Sequence, residues 1–289
     1  MGYLGRTTCE HLASALALAA LLVLASAGPL VAEDGAGPRD PTTPAAAESA
    51  AALPADADAS AERALSILER SSRYLSGLKM FALSVRSEVD VVQEDGVSIE
   101  FGATRQITVR RPDRVRVVIQ TRDGHERRLY FDGSLVTMYT PGDDLYAVVE
   151  AVGTLDDAIE AVTDELGQPL PLAELLRQDF YGSVRDLIRS ASYVARESLD
   201  DTDCDHLAFA GVDADWQIWV ARGERPLPRR LVISYKKEDG SPQFRADLGG
   251  WDVDPDVSDE VFTFEPPAGA EQIEFAPLGT PGPAMGQGR

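Results

Sequence analysis

The chain has 289 residues, with 48 acidic side chains against 27 basic ones and a formal charge of −21. That excess repels nucleic acid and anionic membrane surfaces at long range, so neither is expected as a partner. Three histidines are too few for a His-rich metal centre, and of the two cysteines only Cys204 lies beyond the N-terminal leader, so no intramolecular disulfide is expected.

Residues 1–32 read as a secretion signal. Arg6 supplies the positive start, residues 12–27 are almost wholly Ala, Leu and Val, and small-residue cleavage sites follow at Ala27 and Ala32. The uncharged run is also close to bilayer length, so cleavage after either alanine and retention as an anchor both stay open. No later stretch is as long and apolar. The expectation is export across the inner membrane to the periplasm, with no stable membrane span after cleavage. Residues 33–60, rich in Ala, Pro, Asp and Gly, bury too little surface to order themselves and read as a linker. Residues 276–289 read as a loose tail.

Residues 61–275 read as one domain. Ser60 is taken as the N-cap of a helix running to about residue 76, with Ala64, Leu65, Leu68, Ser72 and Leu75 as its apolar stripe. A strand follows near 80–92, where Phe81, Leu83, Val85, Val89 and Val91 alternate with Ser84, Arg86, Glu88 and Asp90. Turns at 94–96, 111–113, 122–124, 132–133 and 141–143 separate it from further strands, about six in all. The period then changes. Leu155, Ile159, Val162 and Leu166 are helically spaced, and 170–176 and 184–188 read as two shorter helical pieces, separated by Gly167, Pro169, Pro171 and Gly182. Strand periodicity resumes after Ser190. It is clearest at 204–235, where Leu207 and Phe209, then Trp216, Ile218 and Val220, then Leu231, Ile233 and Tyr235 mark one face.

The fold class is therefore α+β. One large, strongly curved antiparallel sheet of about eleven strands forms a half-barrel, because twisted sheets of that size curl. The spare apolar helices cover its concave face.

This order resembles the LolA-like superfamily of exported lipoprotein- and lipid-binding proteins. More closely, the chain is similar to an uncharacterised family of predicted periplasmic proteins within that group, built on a domain of unknown function. The matching residues are the helix–strand join at 75–80, Tyr130-Phe131-Asp132-Gly133, Tyr139-Thr140-Pro141, the segment 172–176, the run 203–207, Trp216-Gln217-Ile218-Trp219, Pro226-Leu227-Pro228-Arg229 and Phe262-Thr263-Phe264. The resemblance spans residues 61–275. It implies a fold and a compartment, and from the wider superfamily a lipid- or lipoprotein-carrying role.

Asp200, Asp201, Asp203, Cys204, Asp205 and His206 are the densest group of chemistry-bearing residues. Cys204 and His206 share a strand face but stand roughly 6.5–7 Å apart along it, beyond a direct hydrogen bond. The run is read as a solvated hairpin junction rather than a metal site or a nucleophile pair. His125 reads as a surface or edge residue. No phosphate loop, nucleophile elbow or dinucleotide fingerprint occurs, so no catalysis and no cofactor are expected. The remaining candidate is the apolar face. Phe81, Leu83, Val85, Val117, Ile119, Leu129, Phe131, Leu135, Trp216, Ile218 and Ile233 line either a cavity or an ordinary packed core. Leu172, Leu175, Leu176, Phe180 and Tyr181 would plug it as a lid. The expected protein is a monomer that binds a hydrophobic ligand or lipoprotein acyl chain. The alternative is an envelope adaptor that binds another protein through its sheet surface, with Trp219 and Trp251 as outward anchors.

Overall fold

The computed structural model describes residues 57–93, 95–166 and 170–275. The expected signal (1–32), the linker up to residue 56, the tail (276–289) and Glu94, Gly167 and Pro169 lie outside the described residues.

Helix α1 (Ala57–Gly77) leads into β1 (Met80–Val92), β2 (Ser98–Arg110), β3 (Arg114–Thr121), β4 (Glu126–Phe131), β5 (Leu135–Thr140) and β6 (Leu145–Glu150). Helix α2 (Leu155–Leu166), a 3₁₀ turn (Ala173–Leu176) and the short α3 (Phe180–Arg185) form the insertion. Strands β7 (Ser190–Leu199), β8 (Thr202–Ala210), β9 (Ala214–Ala221), β10 (Pro228–Tyr235), β11 (Gln243–Asp252) and β12 (Glu271–Ile273) complete the domain.

All twelve strands join one sheet in the order β12-β6-β5-β4-β3-β2-β1-β11-β10-β9-β8-β7. Consecutive antiparallel hairpins link β1 to β6 and β7 to β11, and β1 pairs antiparallel with β11 to join the halves. The sequence reading of an all-antiparallel sheet needs one change, because β12 pairs parallel to β6. At three residues it is too short to show a period. It reaches the far edge along a strap over the outer face, where Phe264 packs on Tyr130, Tyr139 and Tyr146 at 5.1–5.5 Å between ring centroids.

Alternation decides which residues face inward. In β1, Phe81, Leu83, Val85, Ser87 and Val89 are buried in turn, as period two requires. The register carries that face across the sheet: Leu83 lies opposite Ile107, Ile107 opposite Val117, and Val117 opposite Leu129. Bulges interrupt β1/β11, β7/β8 and β9/β10, and bulges add the local twist that a half-barrel needs. At the first, Gly250 has φ +58 and its missing Cβ would lie 3.3 Å from Ser84 Oγ, so glycine suits both the turn of the backbone and the space.

The helices divide the concave face. α1 lies over β7, β8 and β9, burying Ala64, Ile67, Leu68, Ser71, Ser72 and Leu75. Ser60 is not its N-cap. The helix begins by Ala57, and the Ser60 hydroxyl ties it to β7, accepting from Tyr193 N at 3.0 Å. α2 lies over the other half, opened by a capping box in which Thr154 N donates to Asp157 Oδ2 at 2.7 Å and Asp157 N to Thr154 Oγ1 at 3.4 Å. The third helical piece starts at Phe180 rather than at 184. Asp179 caps it by accepting from Gly182 N, so Gly182 sits within the first turn instead of separating two pieces.

Candidate ligand cavity

The inward residues of β2 to β6 do not all meet a helix. Between them and α2 is a cavity of about 340 Å³. Its wall follows the sheet register. Val115, Phe131 and Val136 form one cross-strand row; Ile107, Val117, Leu129, Met138 and Ala147 form the next; Arg105, Ile119 and Arg127 form a third. Leu155, Ala158, Ile159, Val162 and Leu166 of α2 close it from above, at the i, i+3, i+4, i+7, i+11 spacing of one helix stripe. Leu170, Pro171, Leu172, Ala173 and Leu176 continue the lid, and Ile273, Glu274 and Phe275 line it at the β12 edge.

The lid is fastened by polar contacts. Leu155 N donates to Pro112 O at 2.8 Å and Gln178 N to Asp156 Oδ1 at 3.0 Å. Tyr181 N donates to the buried Ser72 hydroxyl at 2.9 Å, coupling the insertion to α1.

Of the residues expected to line a cavity, Val117, Ile119, Leu129, Phe131 and Leu176 do so. Phe81, Leu83, Val85, Leu175, Phe180 and Ile218 are buried outside it, and Trp216 and Ile233 pack partly buried against the same core. The half of the sheet that holds β9 and β10 faces α1, so its apolar residues meet a helix instead of a void. Leu135 is 39% exposed, because the inward position at the start of β5 belongs to Val136. Sequence reasoning left out the α2 stripe, although its helical spacing was legible. It also left out Arg105 and Arg127, whose inward positions follow from strand alternation once the register is known.

The run from Asp200 to His206 divides by strand geometry. Asp200 and Asp201 have φ of +44 and +60 and form the two-residue turn between β7 and β8. The junction is solvated at Asp203, which pairs with Arg196, but not beyond it. Asp205 is buried and accepts from Tyr193 Oη at 3.0 Å and Arg222 Nη1 at 2.5 Å. His206 points the other way, stacked on Trp219 at 3.9 Å, with Nδ1 2.9 Å from Glu197 Oε1 and Nε2 2.9 Å from Gln217 Oε1. The Trp219 indole N–H, donating at 2.7 Å, and the His206 contact hold the Glu197 carboxyl below its ordinary pKa. Cys204 packs with Trp219 and Val232, and burial pushes its thiol pKa up, away from the reactive thiolate. His125 is exposed, 4.0 Å from Asp123. Among the described residues no group of three or more His, Cys, Asp or Glu side chains is placed to hold a metal ion.

A curved sheet closed by a helical lid over an apolar cavity defines an α+β half-barrel. The chain belongs to the family of predicted periplasmic proteins DUF2092, whose profile matches residues 64–276. This is the kind of family that the sequence resembles, and it sets the compartment as the periplasm. No described helix is long and apolar enough to cross a membrane. No curated protein matches the chain. Similar solved structures include the lipoprotein LppX of Mycobacterium tuberculosis, at 14% identity and TM-score 0.44, covering 68% of this chain and 99% of that one. LprF of Mycobacterium bovis aligns at 14% identity and TM-score 0.41, covering 68% and 95%. A LolA superfamily protein of Nitrosomonas europaea aligns at 16% identity and TM-score 0.36, covering 70% and 97%.

Proposed function

We propose that this protein is a non-enzymatic periplasmic binder or carrier of a hydrophobic ligand, a lipid or a lipoprotein acyl chain, held between the sheet and the α2 lid. The observation that supports it is the apolar cavity of about 340 Å³, within the size range of small-molecule sites. At about 30 Å³ per water-sized group, that volume takes roughly eleven methylenes. Burying them at about 0.8 kcal/mol each is a gross gain of roughly 9 kcal/mol. Association costs at least about 4 kcal/mol, leaving roughly 5 kcal/mol, or sub-millimolar affinity from the chain alone. Such binding is reversible, as a carrier requires.

The test is native mass spectrometry, with lipid extraction, of protein purified from the periplasm without detergent. A bound acyl ligand is expected. A domain that carries none, and takes up no fluorescent fatty acid, would remove this reading. The adaptor alternative loses its anchors: Trp219 is 8% exposed, and the Trp251 indole N–H is committed to Pro228 O at 3.0 Å.

A further inference from the structure

The cavity wall is apolar except at three residues. Glu274 is exposed, beside β12 at the edge of the sheet. Arg105 on β2 and Arg127 on β4 instead project from the floor, each opposite Ile119 of the intervening β3. Their Cα atoms are thus two strand spacings apart, about 10 Å, close enough for two arginine side chains to converge on one small group.

Arg105 is the unusual one. Several strand arginines of this acidic protein have carboxylates: Arg128 pairs with Glu126, Arg196 with Asp203, Arg230 with Asp247, and Arg245 with Asp90. Arg105 is partly buried, and its hydrogen bond goes to a neutral hydroxyl, that of Ser87. Among the described residues no carboxylate forms an ion pair with it. Burial lowers its pKa from 12.5 to about 10, which still leaves it charged at neutral pH. A cation set in an apolar cavity without a counter-charge is costly. An anion supplied by a ligand removes that cost, and the guanidinium fork matches a planar carboxylate.

The arginines also give the cavity a direction. The row Ile107–Val117–Leu129–Met138 lies next to them, and Val115, Phe131 and Val136 lie one row further. Each row is two residues along a strand, so the apolar part runs about 13 Å beyond the arginines. The wall is cationic at one end and apolar along the rest, and its volume holds one chain of roughly eleven methylenes rather than two or three.

We propose that the ligand is a single-chain amphiphile with a carboxylate head, of the fatty-acid class, whose carboxylate is held by Arg105 and Arg127 while its chain lies under α2. This rests on the hydrophobic-ligand reading above. The test compares decanoic acid with its methyl ester, chains that the cavity can hold, by isothermal titration calorimetry of the mature protein and of the Arg105→Gln and Arg127→Gln variants. The wild type is expected to bind the acid at least about tenfold more tightly than the ester, the size of a charge-assisted hydrogen bond. In Arg105→Gln the acid should fall to the affinity of the ester. Equal binding of acid and ester by the wild type overturns the headgroup assignment but leaves the hydrophobic-ligand reading standing. Binding of neither probe overturns both. An acid preference that survives both substitutions overturns the role of these arginines. Sodium acetate should not compete; displacement by acetate would indicate an anion site with no need of a chain and would overturn the proposal. The wild-type comparison carries the test even for a variant that does not fold.

Discussion

Ala158→Phe separates a cavity from a packed core. Ala158 lies on the inner stripe of α2, is 5% exposed, and lines the cavity. Phenylalanine adds six ring carbons, about half of the roughly eleven methylene-sized groups the space accepts. Excluding about five methylenes of ligand at about 0.8 kcal/mol each costs roughly 4 kcal/mol, or about a thousandfold in Kd. Because the ring enters a void, folding stability should change by no more than the helix propensity difference of about 0.5 kcal/mol. The assay pairs displacement of a bound fluorescent probe with urea denaturation of the same protein. Loss of binding with unchanged stability is expected. A variant destabilised by about 1–3 kcal/mol, the range for overpacking a filled core, with unchanged probe affinity, would refute the reasoning.

Three further outcomes follow from the packing and the charges. Phe81→Ala should cost about 3–5 kcal/mol in urea denaturation, since the ring is fully buried against Trp251 at 5.9 Å; a loss below about 1 kcal/mol would place the core elsewhere. Asp205→Asn should destabilise by about 1–3 kcal/mol, because Tyr193 Oη and Arg222 lose a buried anionic acceptor, and no change in the urea midpoint would contradict this. Burial raises the Glu238 carboxyl from 4.5 to about 7. The native state therefore binds this proton more tightly than the unfolded chain does. Its stabilising contribution is full below pH 4.5 and is lost as the pH rises to about 7. Glu238→Gln should flatten the fall in the urea midpoint over that window, and an identical pH profile in both proteins would show that another group is responsible.

Most of the sheet is legible in the sequence because its two faces differ. The alternation from Phe81 to Val91 and from Leu207 to Ile233 gives the strands, and the turns between them carry Gly, Asp or Pro. β12 is not legible. It is held by parallel pairing to β6 and by a strap anchored through Phe262 and Phe264, contacts that are distant in the chain. The cavity is half legible, for a physical reason. Alternation tells which side chains face inward, but not which helix covers them. Ile218 and Val117 have the same pattern, yet α1 covers the half of the sheet that holds Ile218 and leaves Val117 facing empty space. The polar pair Asp205 and His206 looks like one cluster in sequence. Adjacent strand residues point to opposite faces, so the two belong to different networks.

The proposed ligand site is the space under α2. The most direct measurement is a crystal structure of the protein soaked with a fatty acid brominated along its chain, read through the anomalous signal of bromine. Bromine is expected between Val117, Leu129 and Met138 on the sheet and Ile159 and Val162 on the lid. Bromine bound only between α1 and β7–β9, or on the outer face of the sheet, would contradict it.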